Sequence, residues 1–314
     1  MKINQIRPLE AKFTEVLETI ALKPKTLYFI GKMPENVVKA VGIVGARRCT
    51  SYGEKIAYEA AYELASAGVL IVSGLAYGID SIAARGALDA GGRTVAILGT
   101  PIDEIYPEEH LDLAREIVDK GGAIISEYAP DEKLVAKYGL EVYPGPDETF
   151  KNGFREFNRR TSFLYRNRLI AGLSDAVLVA EATERSGSLN TASHALAMNR
   201  DLFAPPGDIT RRTSAGCNRL IAEGALVYLS PRDILERLFP AGLPGEKRRK
   251  RVPIFAGSPV EKAIVAEIVS GEADGEKIVE KLQISAAEFT QAITMLEIRG
   301  IVQPLGLNNW SLKS

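Results

Sequence analysis

The feature that most narrows the fold is an alternation, from residue 40 to about 238, between short apolar runs and longer amphipathic stretches. The runs VGIVG (41–45), VLIVSG (69–74), TVAILG (94–99), AIISE (123–127), AVLVAEA (176–182), DLFAPPG (201–207) and ALVYLS (225–230) are too short for helices. They are also too continuously apolar for strands with one wet face, and strands covered on both faces read this way. Patterns such as YGEKIAYEAAYELASAG and IDSIAARGALDAG supply the covering helices. The expectation is an α/β fold, a doubly wound and mostly parallel sheet, over 39–238. Residues 1–38 read as a short N-terminal extension, with a helix over Leu9–Leu22 and then the extended piece TLYFIG. Residues 129–160 break the rhythm with Pro, Gly, Asp and Lys and read as an excursion from the sheet. Residues 239–257 read as a linker rich in Pro, Gly and basic residues, including the run Lys247–Arg251. Residues 258–314 hold three amphipathic helical segments and a hairpin, the order of a winged helix.

In an open parallel sheet the ligand sits beyond the carboxyl ends of the strands, where helix N-termini offer free amides. Four strand ends here are rich in glycine and hydroxyls: GARRCTSYG after the first strand, SGLAYGID (73–80), LGTPIDEIYP (98–107) and EATERSGSLNT (181–191). Neither G-x-G-x-x-G nor G-x-x-x-x-G-K-[ST] is present, which argues against a dinucleotide cofactor and against NTP hydrolysis. The first loop carries Arg47, with Ser51 as a candidate helix cap, and a guanidinium beside exposed amides suits a phosphodiester. Arg166, Asn167 and Arg168 read as the start of a helix whose one face could meet phosphate and base edge. Phe163 and Tyr165 could stack a base. Net charge is −1, so any polyanion site must be a local concentration of Arg and Lys. Cys49 and Cys217 are the only cysteines and His110 and His194 the only histidines, too few for a disulfide framework or a metal cluster. No apolar run is long enough to span a bilayer and no signal-peptide pattern opens the chain, so the expected compartment is the cytoplasm.

The ordered segments VGIVGAR, IVSGLAYGID, AILGTPIDEIYP, ISEY, RNRLIAGLSDAVLVAEA, SGSLNTASHAL and PPGD…NRLI resemble the DprA/Smf family of DNA-processing proteins over roughly 40–235. The resemblance implies a Rossmann-like domain that binds and protects single-stranded DNA, forms a homodimer and helps load a RecA-type recombinase, without catalysis, metal or cofactor. On that reading Ser73, Gly74, Ser186, Gly187 and Ser188 supply amide and hydroxyl donors, while Arg47, Arg166 and Arg168 supply charge. Asn167 and Tyr77 complete the set. Tyr77 departs from the family, standing where a cation is common, and an aromatic there exchanges charge for stacking. Ala84, Pro101 and Leu164 replace a common His, Gly and Pro. The alternative is a nucleotide-binding or nucleotide-hydrolysing protein of the Lonely Guy type. That type carries P-G-G-x-G-T-x-x-E where this chain has SGSLNTASH, so its carboxylate is missing and His194 stands in its place. Asp80, Glu127 and Glu181 read as structural acids. The third helix of the C-terminal segment, with two Glu and Arg299 only at its end, is poor material for a DNA groove and suits a regulatory or protein-contact role.

Overall fold

The computed structural model describes residues 2–130, 141–142, 159–242 and 257–313, grouped into two compact units, Met1–Pro240 and Ala241–Ser314. The first unit contributes strands β1 (Lys2–Ile6), β2 (Leu27–Gly31), β3 (Ala40–Val44), β4 (Leu70–Ser73), β5 (Thr94–Leu98), β6 (Ala123–Ser126), β7 (Glu141–Val142), β8 (Ala176–Val179), β9 (Asp201–Ala204) and β10 (Leu226–Val227). Its helices are α1 (Ser51–Ser66), α2 (Ile79–Asp89), α3 (Leu111–Asp119), α4 (Arg159–Gly172), α5 (Ser188–Ala197), α6 (Ala215–Ala222) and α7 (Pro231–Leu238). The described strands form one sheet in the order β10-β9-β8-β3-β4-β5-β6-β2-β1-β7. From β3 the chain winds outward through β4, β5 and β6, then returns to the other side of β3 with β8, β9 and β10. Every pair from β10 to β6 is parallel, whereas β2 pairs antiparallel with both β6 and β1.

The continuous apolar runs still obey the two-residue alternation of a strand. Val41 and Ile43 of β3 face α1 and α2, where Ala57, Ala60, Ala61 and Leu64 meet Ile79, Ala83 and Ala87. Ala40 and Val44 face the opposite layer, which is built from Leu169 and Ile170 of α4 and Leu173 just after it, Ala192 and Ala195 of α5, and Cys217 and Leu220 of α6. The alanines let α1 and α2 approach closely, and a Cβ on Gly86 would lie 2.6 Å from the Tyr58 carbonyl oxygen. In α3, Leu113, Ala114 and Ile117 cover the β5–β6–β2 end of the sheet.

Residues 1–38 are not an appendage with a helix. The stretch 9–22 holds 3₁₀ turns at Pro8–Glu10 and Glu15–Thr19, and Phe13, Leu17 and Ile20 are buried in the main core. The spacing of those apolar residues imitates a helix, but Thr14 turns its hydroxyl back to the Pro8 carbonyl at 2.8 Å and the segment wraps over the sheet instead. Both flanking strands extend that sheet. The excursion expected at 129–160 falls almost wholly outside the described residues, as does most of the 239–257 linker with its basic run.

The second unit contains α8 (Pro259–Ser270), α9 (Gly275–Leu282), α10 (Ala286–Ile298) and an antiparallel pair, β11 (Val302–Gly306) and β12 (Asn309–Leu312). Ser258 with Glu261 and Ser285 with Glu288 form capping boxes that set the starts of α8 and α10. Ile264, Ile268, Ile278, Phe289, Ile293, Leu296 and Val302 give this unit a core of its own. No helix among the described residues is long and apolar enough to cross a membrane.

Candidate functional site

The winding direction reverses between β3 and β8, so a ligand crevice is expected beyond their carboxyl ends, at the N-terminus of α1. A carboxylate of the chain itself fills that place. Glu181, the second residue after β8 and 2% exposed, accepts from Thr50 N and from Thr50 Oγ1, both at 2.7 Å. Its own carbonyl accepts from Ala46 N at 2.8 Å. Gly53 is required in the first turn of α1 because any Cβ there would collide with the Glu181 carboxylate. The cap of α1 is therefore Thr50, with its partner Glu181, and Ser51 is the first helical residue. An anion of the chain itself thus stands at the start of α1, taking the Thr50 amide and facing the dipole that a nucleotide phosphate would seek.

What the β3 loop leaves outside is Arg47. Its guanidinium is exposed and lies over the Phe163 ring, 5.4 Å from the centroid. Phe163 is half-buried, 5.4 Å from the Tyr106 ring, and rests against Gly99, where a Cβ would come within 2.6 Å of it. A cation and two aromatic rings thus share one stretch of rim, drawn from the loops after β3 and β5 and from α4.

Arg166, Asn167 and Arg168 lie inside α4, not at its start, and the expectation that the two arginines offer charge to a ligand is corrected. Arg166 is buried and its guanidinium donates to the Gly74 carbonyl at 2.8 Å and to the Ile97 carbonyl, joining the ends of β4 and β5. Burial lowers its pKa to about 10, which leaves it a cation at neutral pH. Asn167 donates to Gly187 O at 3.3 Å and to Asn190 Oδ1 at 3.2 Å, holding the β8 loop. Arg168 is 1% exposed, and its Nη2 donates to both carboxylate oxygens of Glu127 at 2.8 Å. It also donates to the Leu22 carbonyl at 2.7 Å and stacks on Tyr165 at 3.8 Å. Successive helical residues point about 100° apart, so neighbours in sequence reach different loops rather than one ligand.

The remaining expected residues divide between interior and rim. Ser73 is buried and donates to the Ile43 carbonyl at 2.8 Å. The Gly74 amide donates to Asp80 Oδ2 at 2.9 Å, so it too is used internally, and the side chain of Arg166 lies where a Gly74 Cβ would stand. Burial pushes the Asp80 carboxyl up, opposed by Arg166 and by the Gly74 and Ala76 amides. Ser188 is buried and shares a 2.7 Å hydroxyl contact with the half-buried Ser186. Gly187 is exposed, with open space where a Cβ would be. Tyr77 is 39% exposed on the rim and packs edge-on against His110, with centroids 5.2 Å apart. A hydrogen bond to Glu109 pushes its phenol pKa up to about 12. His110 in turn contacts the carbonyl of Leu75 through Nδ1 at 2.8 Å, fixing a residue held at φ 57°.

Among the described residues no His, Cys, Asp and Glu side chains converge as a metal site. Burial pushes the Cys217 thiol up to about 12 and also raises that of Cys49, which are not the surroundings of a nucleophile. Desolvation, followed by the Arg168 charge, lowers the His194 pKa. Phe163 with Tyr106 is the pairing that sequence reasoning left unconnected; only the fold brings the β5 loop under α4.

Against known proteins, the family model described as DNA recombination-mediator protein A matches residues 4–140 and 154–239. A DNA processing protein DprA of Mycobacterium tuberculosis is 34% identical over 284 residues, which cover 89% of this chain and 67% of that protein. The chain spans only about half of some other relatives, 53% and 51% of two Smf proteins. The crystal structure of DprA from Streptococcus pneumoniae superposes with a TM-score of 0.59 at 33% identity, covering 74% of this chain and 73% of that one. A Helicobacter pylori DprA structure, described for its single-stranded DNA binding mode, superposes with a TM-score of 0.58 at 28% identity, covering 76% and 97%.

Proposed function

This chain belongs to the DNA recombination-mediator protein A family, and from that premise we propose that its first unit binds single-stranded DNA along the carboxyl rim of the sheet, as a non-enzymatic mediator in the cytoplasm. The observation that carries the reading is the pairing of a filled anion slot with an open cation. Glu181 stands at the N-terminus of α1, where a mononucleotide phosphate would bind, while Arg47 stays on the surface over Phe163. That arrangement suits a strand lying across the rim, with phosphate at the guanidinium and a base against exposed aromatic edges. The Lonely Guy type of reading finds no support in it.

In the refined site, Arg47, Tyr77, Phe163, Ser186 and Gly187 face the strand. Ser73, Gly74, Arg166, Asn167, Arg168 and Ser188 hold those groups in position from inside. The homodimer and the RecA-type recombinase partner carry over as proposals from the family resemblance. The exposed Leu226, Val227 and Leu229 at the β10 edge offer a surface for a second copy. The winged-helix reading of the second unit, with a protein-contact role, rests on its order of three helices and a hairpin.

Fluorescence anisotropy with labelled single-stranded and duplex oligonucleotides tests the reading. Arg47→Ala should weaken single-strand binding about tenfold and reduce the slope of log K against log salt by about 0.7, one phosphate contact. The fold should be intact by circular dichroism. Wild-type affinity in that variant, or equal affinity for duplex, would refute the assignment.

A further inference from the structure

The rim does not end at the β8 loop. In the sheet order β9 lies next to β8, so the turn between β9 and α6 stands one strand spacing, about 4.8 Å, farther along the same edge. Tyr52 in the first turn of α1 donates to the Pro206 carbonyl at 2.6 Å, and the Gly216 amide donates to the Ala182 carbonyl at 2.8 Å. Both bonds attach this turn directly to the loops already described. The turn is also fixed internally. Gly207 N donates to Asn218 Oδ1 at 3.0 Å and accepts back from Asn218 Nδ2 through its carbonyl at 2.9 Å. Asp208 Oδ1 accepts from Thr210 N at 2.8 Å and from Thr210 Oγ1 at 2.7 Å.

On this fixed turn Ile209 is 89% exposed, more than any other large apolar side chain described in the first unit. Two exposed arginines follow it. Arg211 meets Asp208 only at 3.9 Å, with both side chains largely in solvent, and Arg212 makes no ion pair among the described residues. Asp208 itself is already engaged by Thr210. An apolar tip held rigidly in water beside two open guanidinium groups matches how nucleic-acid binders present a wedge to a base and charges to flanking phosphates.

We propose that the turn 207–213 is a second subsite for the strand, in which Ile209 lies against a base while Arg211 and Arg212 take phosphates beyond those held near Arg47. The proposal rests on the single-strand reading above and extends the track from β4 to β9, three strand spacings or about 14 Å at the sheet.

The test uses the full chain and labelled oligothymidylates of increasing length, by anisotropy across a salt series. For long oligonucleotides, Arg211→Ala with Arg212→Ala should flatten the salt slope by about 1.4 and weaken binding on the order of a hundredfold, the effect of two lost phosphate contacts on a single strand. The shortest oligonucleotide that binds should be unaffected. Ile209→Ala should weaken long-strand binding about threefold with the slope unchanged, since a wedge carries no charge. A double Gln variant at 211 and 212 should reproduce the slope, separating charge from any disturbance of the turn. If the arginine variants match wild type at every length while Arg47→Ala is weakened, the subsite is overturned and the single-strand reading stands. If the wild-type chain binds no oligonucleotide, both fall.

Discussion

Arg168 shows how a residue that looks made for a ligand can be committed to the fold. Its guanidinium is matched to Glu127 by two contacts of 2.8 Å and is 1% exposed, so its charge is neutralised before any ligand arrives. It stacks on Tyr165 and donates to the Leu22 carbonyl, so one side chain ties α4, the end of β6 and the N-terminal segment together. Removing one partner of a buried pair leaves an uncompensated charge. Glu127→Gln should therefore lower unfolding free energy by about 3 kcal/mol in urea titration. Arg168→Lys should destabilise as well, because an ammonium cannot reach Glu127 and the Leu22 and Tyr165 carbonyls at once as the three guanidinium nitrogens do. Loss of stability without any change in the salt slope of DNA binding would mark the pair as structural. The sequence showed Arg166 and Arg168 as two cations one residue apart, which is also how a phosphate site looks; only the direction of each side chain tells the two apart.

At the scale of elements, the start of α1 decides what the sheet can bind. Glu181→Ala should cost about 1–3 kcal/mol, because Thr50 N and its hydroxyl lose a shared acceptor. The emptied helix terminus should then accept an anion. Added sulfate should raise the thermal midpoint of the variant more than that of wild type, measured by scanning fluorimetry. An equal response in both would mean the slot is open in the native chain. The elements that could be read from sequence were those with one dominant signal. Strands β3 to β6, β8 and β9 announced themselves as Val/Ile/Leu/Ala runs, and the three helices of the second unit by their amphipathic spacing. The strand KINQI was missed because it carries polar residues at a sheet margin. The helix expected over 9–22 was wrong because Phe13, Leu17 and Ile20 keep a helical spacing while serving turns that cap the core. Ile209 has no periodicity at all, and its exposure was visible only once the turn was in place.

On the scale of the whole chain, the two units have separate cores, so calorimetry should resolve two transitions. The described residues 257–313 of the second unit, 57 in all, should contribute roughly 40 kcal/mol from about 0.7 kcal/mol per residue. A single transition with coincident probes would show the units to be energetically fused. Within the first unit, the rim is held by hydrogen bonds of long reach: Arg166 to Gly74 spans 92 positions and Arg168 to Leu22 spans 146. Contacts of that separation are slow to form, because a large stretch of chain must be closed before they return any free energy. A nascent polypeptide that has emerged only through β6 already possesses the loops after β3, β4 and β5 but lacks the braces that Glu181 and α4 supply. The rim therefore takes its final form only late in synthesis, when α4 settles and its three consecutive side chains lock their separate loops.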